Sequence, residues 1–298
     1  MQDHRPQSLA RVAMTLLGRP ATGCRRCDAS DLPDPQIHRN SIKVQHSHHT
    51  SRTGAQHRVI LQALYATGIF SKTQPDVVSA FARQLAPVHF PPGDIVTTNG
   101  DFGDRLCVII SGKVKVSYRR PDGHEMLITV VGPAELLGVT AMFDPAACYA
   151  GVTALTAVLA VPIERAQLLR WMAQHSEIGE QLLRLLARWA KLMTTFVGDF
   201  ASAGAPKRIA NRLLFLEWRF GRQDGDTVRV VHDLTSEDFS RLVGVPPKTV
   251  SATLSQFERN GWISLEDNAF RIADSQALRS IPSLHAEGDG HFGHRHSA

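Results

Sequence analysis

From Glu164 to Phe200 the chain runs without a proline, and glycine enters only at Gly179 and Gly198. Within that run Ile178, Leu182, Leu185, Trp189, Leu192 and Phe196 recur at intervals of 4, 3, 4, 3 and 4. This is the a/d spacing of a coiled-coil seam, so the segment is expected to be helical throughout, with the seam meeting a partner helix. Leu183, Leu186 and Met193 give the helix a second apolar face, assigned to the chain's own upstream domain. The alternative, a helix that packs its seam on its own domain, stays open.

Upstream of this helix the period changes. After a short helix opened by Pro75 and Asp76, the runs Ile95 to Thr97, Arg105 to Ile110, Lys113 to Tyr118 and Glu125 to Val131 are rich in Val, Ile, Thr and Tyr. Turn pairs at Asn99-Gly100, Ser111-Gly112 and Asp122-Gly123 separate them, and Val152 to Pro162 adds one or two strands more. Val114, Val116 and Tyr118 alternate with Lys113, Lys115 and Ser117, the pattern of a half-buried strand with its polar face outward. Six to eight short strands at this spacing form a small barrel or jelly roll.

Downstream, Pro206 to Phe220 reads as a helix and Val228 to Val231 as a strand. Thr235 then stands as an N-cap with Asp238 three residues on, and the helix closes at Gly244. A second helix opens at Pro246-Pro247, where a missing N–H costs little, and ends at Asn260-Gly261. Two short helices joined by a turn with a glycine form a helix-turn-helix, and Trp262 to Leu265 with Phe270 to Ile272 forms a wing. Val250, Leu254 and Phe257 fall on the core face of the second helix. A recognition helix points its N-terminal residues at base edges, which nominates Lys248, Thr249 and Ala252 for bases and Ser251, Ser255 and Arg259 for bases or phosphates. Thr235 is nominated as a further DNA contact.

Composition adds bounds. At roughly 150 residues per domain, 298 residues suggest about two domains. The net charge of +5 invites a nucleic-acid reading, but residues 1–56 carry +4 of it and 207–281 only +1. The case for double-stranded DNA therefore rests on the helix pattern. No apolar run is long enough to span a membrane, and four scattered cysteines form no disulfide framework. A cytoplasmic protein with no membrane partner is expected. Residues 1–56 and 282–298 hold nine of the fourteen histidines, lack periodicity and read as disordered ends.

The chain resembles the family of the cyclic-AMP receptor protein and the fumarate-nitrate regulator (CRP/FNR). The resemblance spans about residues 57–281. It is carried by Pro92-Gly93-Asp94, Gly103-Asp104-Arg105-Leu106, Ile110-Ser111-Gly112-Lys113-Val114-Lys115, Pro121-Asp122-Gly123, Leu234-Thr235, Leu242-Val243-Gly244 and Lys248-Thr249-Val250. Phe143-Asp144-Pro145 and Gly261-Trp262-Ile263 look most like actinobacterial members. It implies an α+β chain: a cyclic-nucleotide-binding-like β-roll (57–175), a dimerisation helix (176–200), a hinge (201–205) and a winged helix-turn-helix (206–281). It also implies a homodimer acting on transcription, with RNA polymerase as a further partner.

The sensing loop departs from the family. In its cyclic-AMP binders a Gly-Glu pair holds the ribose and an Arg followed by Ser or Thr holds the phosphate. Here the matching positions are Gly138, Val139, Cys148 and Tyr149, with Thr140 between them and Met193 and Thr194 at the adenine side. Losing an Arg removes charge-assisted hydrogen bonds worth about 1.5–3 kcal/mol each, a weakening of roughly ten-fold to over a hundred-fold. Cyclic AMP is not expected in the usual mode. The recognition helix also lacks the family's Ser-Arg-Glu-Thr-Val opening, so a different DNA target is expected.

Cys24 and Cys27 resemble the start of the iron-sulfur branch's cluster, but its third and fourth positions are Pro33 and Leu159, which argues against a cluster. Zinc held by Cys24, Cys27 and two of His38, His46, His48 and His49 misses the usual spacing. No metal or other cofactor is assigned, and Cys107 reads as a small buried hydrophobe. The expected function is a non-enzymatic, dimeric DNA-binding regulator. Alternatives are a constitutive architectural DNA binder with a vestigial roll, a regulator switched by the Cys148 thiol, a protein-interaction module that has lost DNA binding, and a metal-dependent cupin. The cupin reading is weakened because the histidines of the roll's strand region, His89 and His124, stand apart.

Overall fold

The computed structural model describes residues 54–97, 104–119, 125–144 and 150–282. Cys24, Cys27, Cys148, Tyr149, His124, the Asp122-Gly123 turn and nearly all of both expected disordered ends lie outside them.

Eight strands build the roll as two four-stranded sheets. One has the order β1 (Val88–Phe90), β8 (Val158–Glu164), β3 (Arg105–Ser111), β6 (Leu136–Leu137). The other runs β2 (Ile95–Thr97), β7 (Ala150–Ala154), β4 (Val114–Arg119), β5 (Glu125–Val131). Strand β3 shows why the sheets stack. Cys107 and Ile109 point between them, where they meet Val114, Val131, Val152 and Val158, while Leu106 and Val108 point to the opposite side. That outer side is covered by α1 (Gly54–Ala66), α2 (Pro75–Arg83) and α4 (Arg165–Gln174), through Leu64, Phe81, Leu168 and Trp171, and by Phe70 of the α1–α2 connection. A one-turn helix, α3 (Val139–Phe143), follows β6.

The expected single helix is broken. Helix α4 stops when His175 leaves helical space (φ −137°, ψ 83°), and α5 (Ser176–Ser202) sets off from there. The His175 ring lies edge-on against Phe81 at 5.7 Å, so the bend is packed into the same aromatic cluster as Trp171, which stacks on Phe81 at 4.1 Å. At its far end α5 runs past the expected hinge start. Only Ala203 and Gly204, both extended, separate it from α6 (Ala205–Phe220).

The head combines α6, α7 (Ser236–Val243), α8 (Pro247–Arg259) and α9 (Ser275–Ser280) with a sheet ordered β11 (Ile263–Leu265), β12 (Ala269–Ile272), β10 (Thr227–Val231), β9 (Gly221–Asp224). The expected wing is the β11–β12 pair. Strand β9 was not anticipated, because Gly-Arg-Gln-Asp is exposed throughout and shows no alternation.

Candidate DNA-binding face and its connection to the roll

The recognition helix is fixed from below and open above. Val250 and Phe257 are buried in the head core with Leu254 packed against it, so α8 cannot rotate without opening that core. Lys248, Thr249, Ser251, Ala252, Ser255 and Arg259 are all exposed, as the face assignment expects. Lys248, Thr249 and Ala252 line one concavity of about 470 Å³ with Pro206, Thr253, Gln256 and Phe257. The structure thus brings the three base-reading candidates together and adds Gln256, one turn below Ala252. Arg259 Nη2 donates to Gln256 Oε1 at 2.6 Å, which holds the arginine along the helix.

The supports of this helix follow from local chemistry. Thr235 caps α7: Asp238 N donates to Thr235 Oγ1 (3.0 Å), which in turn donates to Asp238 Oδ2 (3.0 Å). Its hydroxyl is thus engaged in the cap, while the residue itself remains exposed. Gly244 ends α7 in the left-handed region (φ +67°), and Arg208 Nη2 donates to the Val243 and Gly244 carbonyls at 2.6 and 2.9 Å. Leu265 N donates to Glu258 Oε1 (2.9 Å), tying the wing to the recognition helix. The arginines of β10 and of the wing strand β12 are already paired. Arg229 donates to Glu266 Oε2 (2.5 Å) and Arg271 to Glu266 Oε1 (2.8 Å), with Asp224 as the second partner of Arg271. The hydrogen bonds from Arg229 and Arg271 hold the Glu266 carboxyl below the usual range.

The polar face of β4, expected to be solvated, is instead covered by the head. Lys113 Nζ donates to Val231 O and Asp233 Oδ2, both at 2.6 Å, and lies 5.1 Å above the Phe220 ring. Lys115 Nζ donates to Asp238 Oδ1 at 2.7 Å, and Ser117 is buried. Burial pushes the Asp238 carboxyl up, but the hydrogen bonds from Lys115 and Thr235 outweigh it and leave the group below its ordinary value. Arg241 reaches Glu125 at 3.2 Å, and Arg219 pairs with Glu135 while donating to Thr129 Oγ1 at 2.8 Å. Leu127 and Val130 of β5 are buried within the head's own core cluster. None of these contacts was anticipated; an alternating strand pattern marks two faces but not what covers each.

Helix α5 divides its apolar faces differently from the expectation. Ile178 and Leu182 are buried in the roll's outer core, with Leu185 and Trp189 packed against it. Ile178 and Leu182 are spent within the chain, while Leu185 and Trp189 stay partly exposed. Phe196 is spent on the head: its ring lies 5.0 Å from Phe215, edge to face, with the Arg212 guanidinium 4.3 Å above it. Leu192 is partly buried. The exposed large apolar residues are Leu183 (68% exposed) and Met193, both first assigned to the roll, joined by Val197 (63%) and Phe200 (45%). Leu186 alone of those first assigned to the roll packs on its core.

Where α5 meets α6, Arg212 is buried and its Nη1 has no hydrogen-bond partner. Burial lowers its pKa to about 10, partly offset by Asp199. Arg208 lies 4.2 Å over Phe200, and Asn211 Nδ2 donates to Asp199 Oδ1 at 2.9 Å.

The sensing positions are scattered in their exposure. Gly138 precedes α3, and Thr140 is exposed. Val139 is 1% exposed and sits in the core with Leu136 and Met142, so this apolar side chain lines no open pocket. Met193 and Thr194 are exposed on α5, with the Thr194 hydroxyl donating to Ala190 O at 3.0 Å. Cys107 is buried between the sheets, and burial pushes its thiol up to about 11, an unreactive state at neutral pH. Among the described residues no cluster of three or more His, Cys, Asp or Glu could hold a metal, and no helix is long and apolar enough to cross a membrane.

Comparison with known proteins follows these two parts. The cyclic nucleotide-binding domain family matches residues 87–175, and the Crp-like helix-turn-helix domain family matches 207–281. A CRP-like cAMP-activated global transcriptional regulator of Mycobacterium tuberculosis is 43% identical over 217 residues, covering 73% of this chain and 97% of that protein. The chain belongs to the CRP/FNR family. The cyclic AMP receptor protein of Thermus thermophilus is a more distant relative, 25% identical over 204 residues, which cover 68% of this chain and 89% of that one. The solved structure of FixK2 from Bradyrhizobium japonicum shares the fold, with a TM-score of 0.58 at 14% identity over 65% of this chain and 96% of that one. As a CRP/FNR regulator the chain carries a nucleotide-binding-type roll and a DNA-binding head, and α5 with its short joint fills the interval between the two family matches.

Proposed function

We propose that this CRP/FNR chain acts as a homodimer on a two-fold DNA site, and that its roll does not take cyclic AMP in the usual mode. The observation that carries the DNA reading is the rigidly backed, exposed face of Lys248, Thr249, Ala252 and Gln256. Dimerisation is supported by the stripe Leu183, Ala187, Ala190, Thr194, Val197, spaced 4, 3, 4 and 3 along α5 and exposed on every member. This stripe joins the partly exposed Leu185, Trp189 and Leu192 of the Ile178-to-Phe196 seam as the proposed partner surface. RNA polymerase as a further partner and a cytoplasmic location go with this reading.

The M. tuberculosis relative is named as cAMP-activated. In this chain the carboxylate and guanidinium positions of the family's nucleotide site are Val139 and Cys148, so the bidentate partner of a cyclic phosphate is missing. Calorimetry with cyclic AMP is expected to show no micromolar binding, and such binding would overturn this part. Random-site selection followed by sequencing is expected to return a palindrome. Lys248→Ala should relax preference at one position of each half-site, by about 1–3 kcal/mol against the wrong base. An unchanged motif and affinity would refute the assignment of Lys248. Equal gel-shift affinity with and without small-molecule extracts would favour the constitutive binder.

A further inference from the structure

We propose that the contact between β4–β5 and the head is an autoinhibitory clamp, which must open for the head to engage DNA. The inference rests on the DNA-binding reading above and adds to it a state in which binding is held back.

Two cations of the roll, Lys113 and Lys115, reach Asp233 and Asp238 of the head, and two cations of the head, Arg219 and Arg241, reach Glu135 and Glu125 of the roll. The inner pairs are well shielded, with side-chain exposures of 15% and 17% for Lys113 and Asp233 and 22% and 8% for Lys115 and Asp238. Beneath them Leu127 and Val130 close the head's core. Asp233 is held in left-handed backbone (φ +57°), with Lys113 on one carboxylate oxygen and Asn268 on the other.

The clamp grips the part of the head that DNA needs. In a helix-turn-helix the first helix crosses the DNA backbone while the second enters the groove. Here the first helix is α7, which packs on β5 and gives its Asp238 and Arg241 to the roll. A duplex laid across α7 would have to share that edge with the β4–β5 hairpin. Head cations are also engaged by the roll: Arg219 pairs with Glu135, and Arg241 shares itself between Glu125 (3.2 Å) and Glu237 of its own helix (2.6 Å). The α8 face stays exposed throughout, so the clamp governs the placement of the head and leaves its surface intact.

The test separates the clamp from simple electrostatics because the two predict opposite signs. Lys113→Met and Lys115→Met each remove a positive charge from the roll and none from the recognition helix. Counterion release alone predicts weaker DNA binding. An opened clamp predicts tighter binding, about ten-fold for each shielded charged bond removed, while Lys115→Arg should stay near wild type. A spin-label pair on the full chain, one on the roll and one on the exposed Ser255, reads head position without DNA. The expected result is a distance that broadens in both Met variants. Unchanged or weaker binding to the selected duplex, or an unchanged distance in variants with wild-type roll melting, would overturn the clamp. If wild type binds no duplex at all, the DNA reading has failed, and the spin-label distances still decide whether the contact opens.

Discussion

Alanine at Gly244 should cost far more than alanine at two other glycines of the same backbone conformation. Gly244, Gly225 and Gly261 have φ of +67°, +60° and +74°. Each substitution carries the left-handed penalty of an L side chain, about 1–2 kcal/mol. At Gly225 and Gly261 a Cβ would meet nothing within 4 Å. At Gly244 it would come within 2.7 Å of both Arg208 Nη2 and Phe200 Cε1. Both are tips of side chains that can swing, so the loss is set by what they release. Arg208 would give up its bonds to the Val243 and Gly244 carbonyls and its place over Phe200. One charged hydrogen bond lost is about 2 kcal/mol, which brings Gly244→Ala to about 3–4 kcal/mol. Urea unfolding of the three variants, followed by circular dichroism, measures the difference. If Gly244→Ala falls within about 0.5 kcal/mol of the controls, the Arg208 staple has no energetic role and the reasoning fails.

The remaining predictions concern capping and pH. Thr235→Ala should cost about 1 kcal/mol through the lost α7 cap; because Thr235 Oγ1 also donates to Asp238, the Asp238 carboxyl should titrate higher by carbon NMR, and Thr235→Ser should restore both readings. His232 is buried, stacks on Phe270 at 5.6 Å and accepts from Leu234 N at 3.0 Å; burial lowers its pKa to about 4. The unfolded chain therefore binds a proton that the folded chain refuses as pH falls from about 6.5 to 4, so stability drops through that window. The loss should reach about 2 kcal/mol between pH 7 and pH 5. Urea midpoints that do not move over that interval in wild type, relative to His232→Gln, would contradict this.

The parts of the head that were legible in the sequence are those fixed locally. The Thr235 cap, the glycine after α7, the prolines before α8 and the spacing of Val250, Leu254 and Phe257 each follow from a few adjacent residues. The roll's longer strands were legible for the same reason, through their alternation and turns. What escaped was set by partners distant in sequence. Helix α5 carries two apolar stripes at heptad-like spacing, and spacing alone does not say which one the roll consumes. The break at His175 carries neither proline nor glycine, and its cause is packing against Phe81. Lys113 and Lys115 looked like a solvated face because nothing nearby in sequence reveals that a domain more than a hundred residues later lies over them.

Helix α5 also has a mechanical consequence. Its first turns are sunk in the roll at Ile178 and Leu182, and its last turns are gripped by the head at Phe196 and Phe200. At 1.5 Å per residue, Phe196 stands about 27 Å along the axis from Ile178. A tilt of about 5° at the Ile178 anchor therefore moves Phe196, and the Arg212 resting on it, by about 2 Å. The helix is a lever with its short arm in the roll, so a change too small to see there becomes a displacement on the scale of a hydrogen bond at the head.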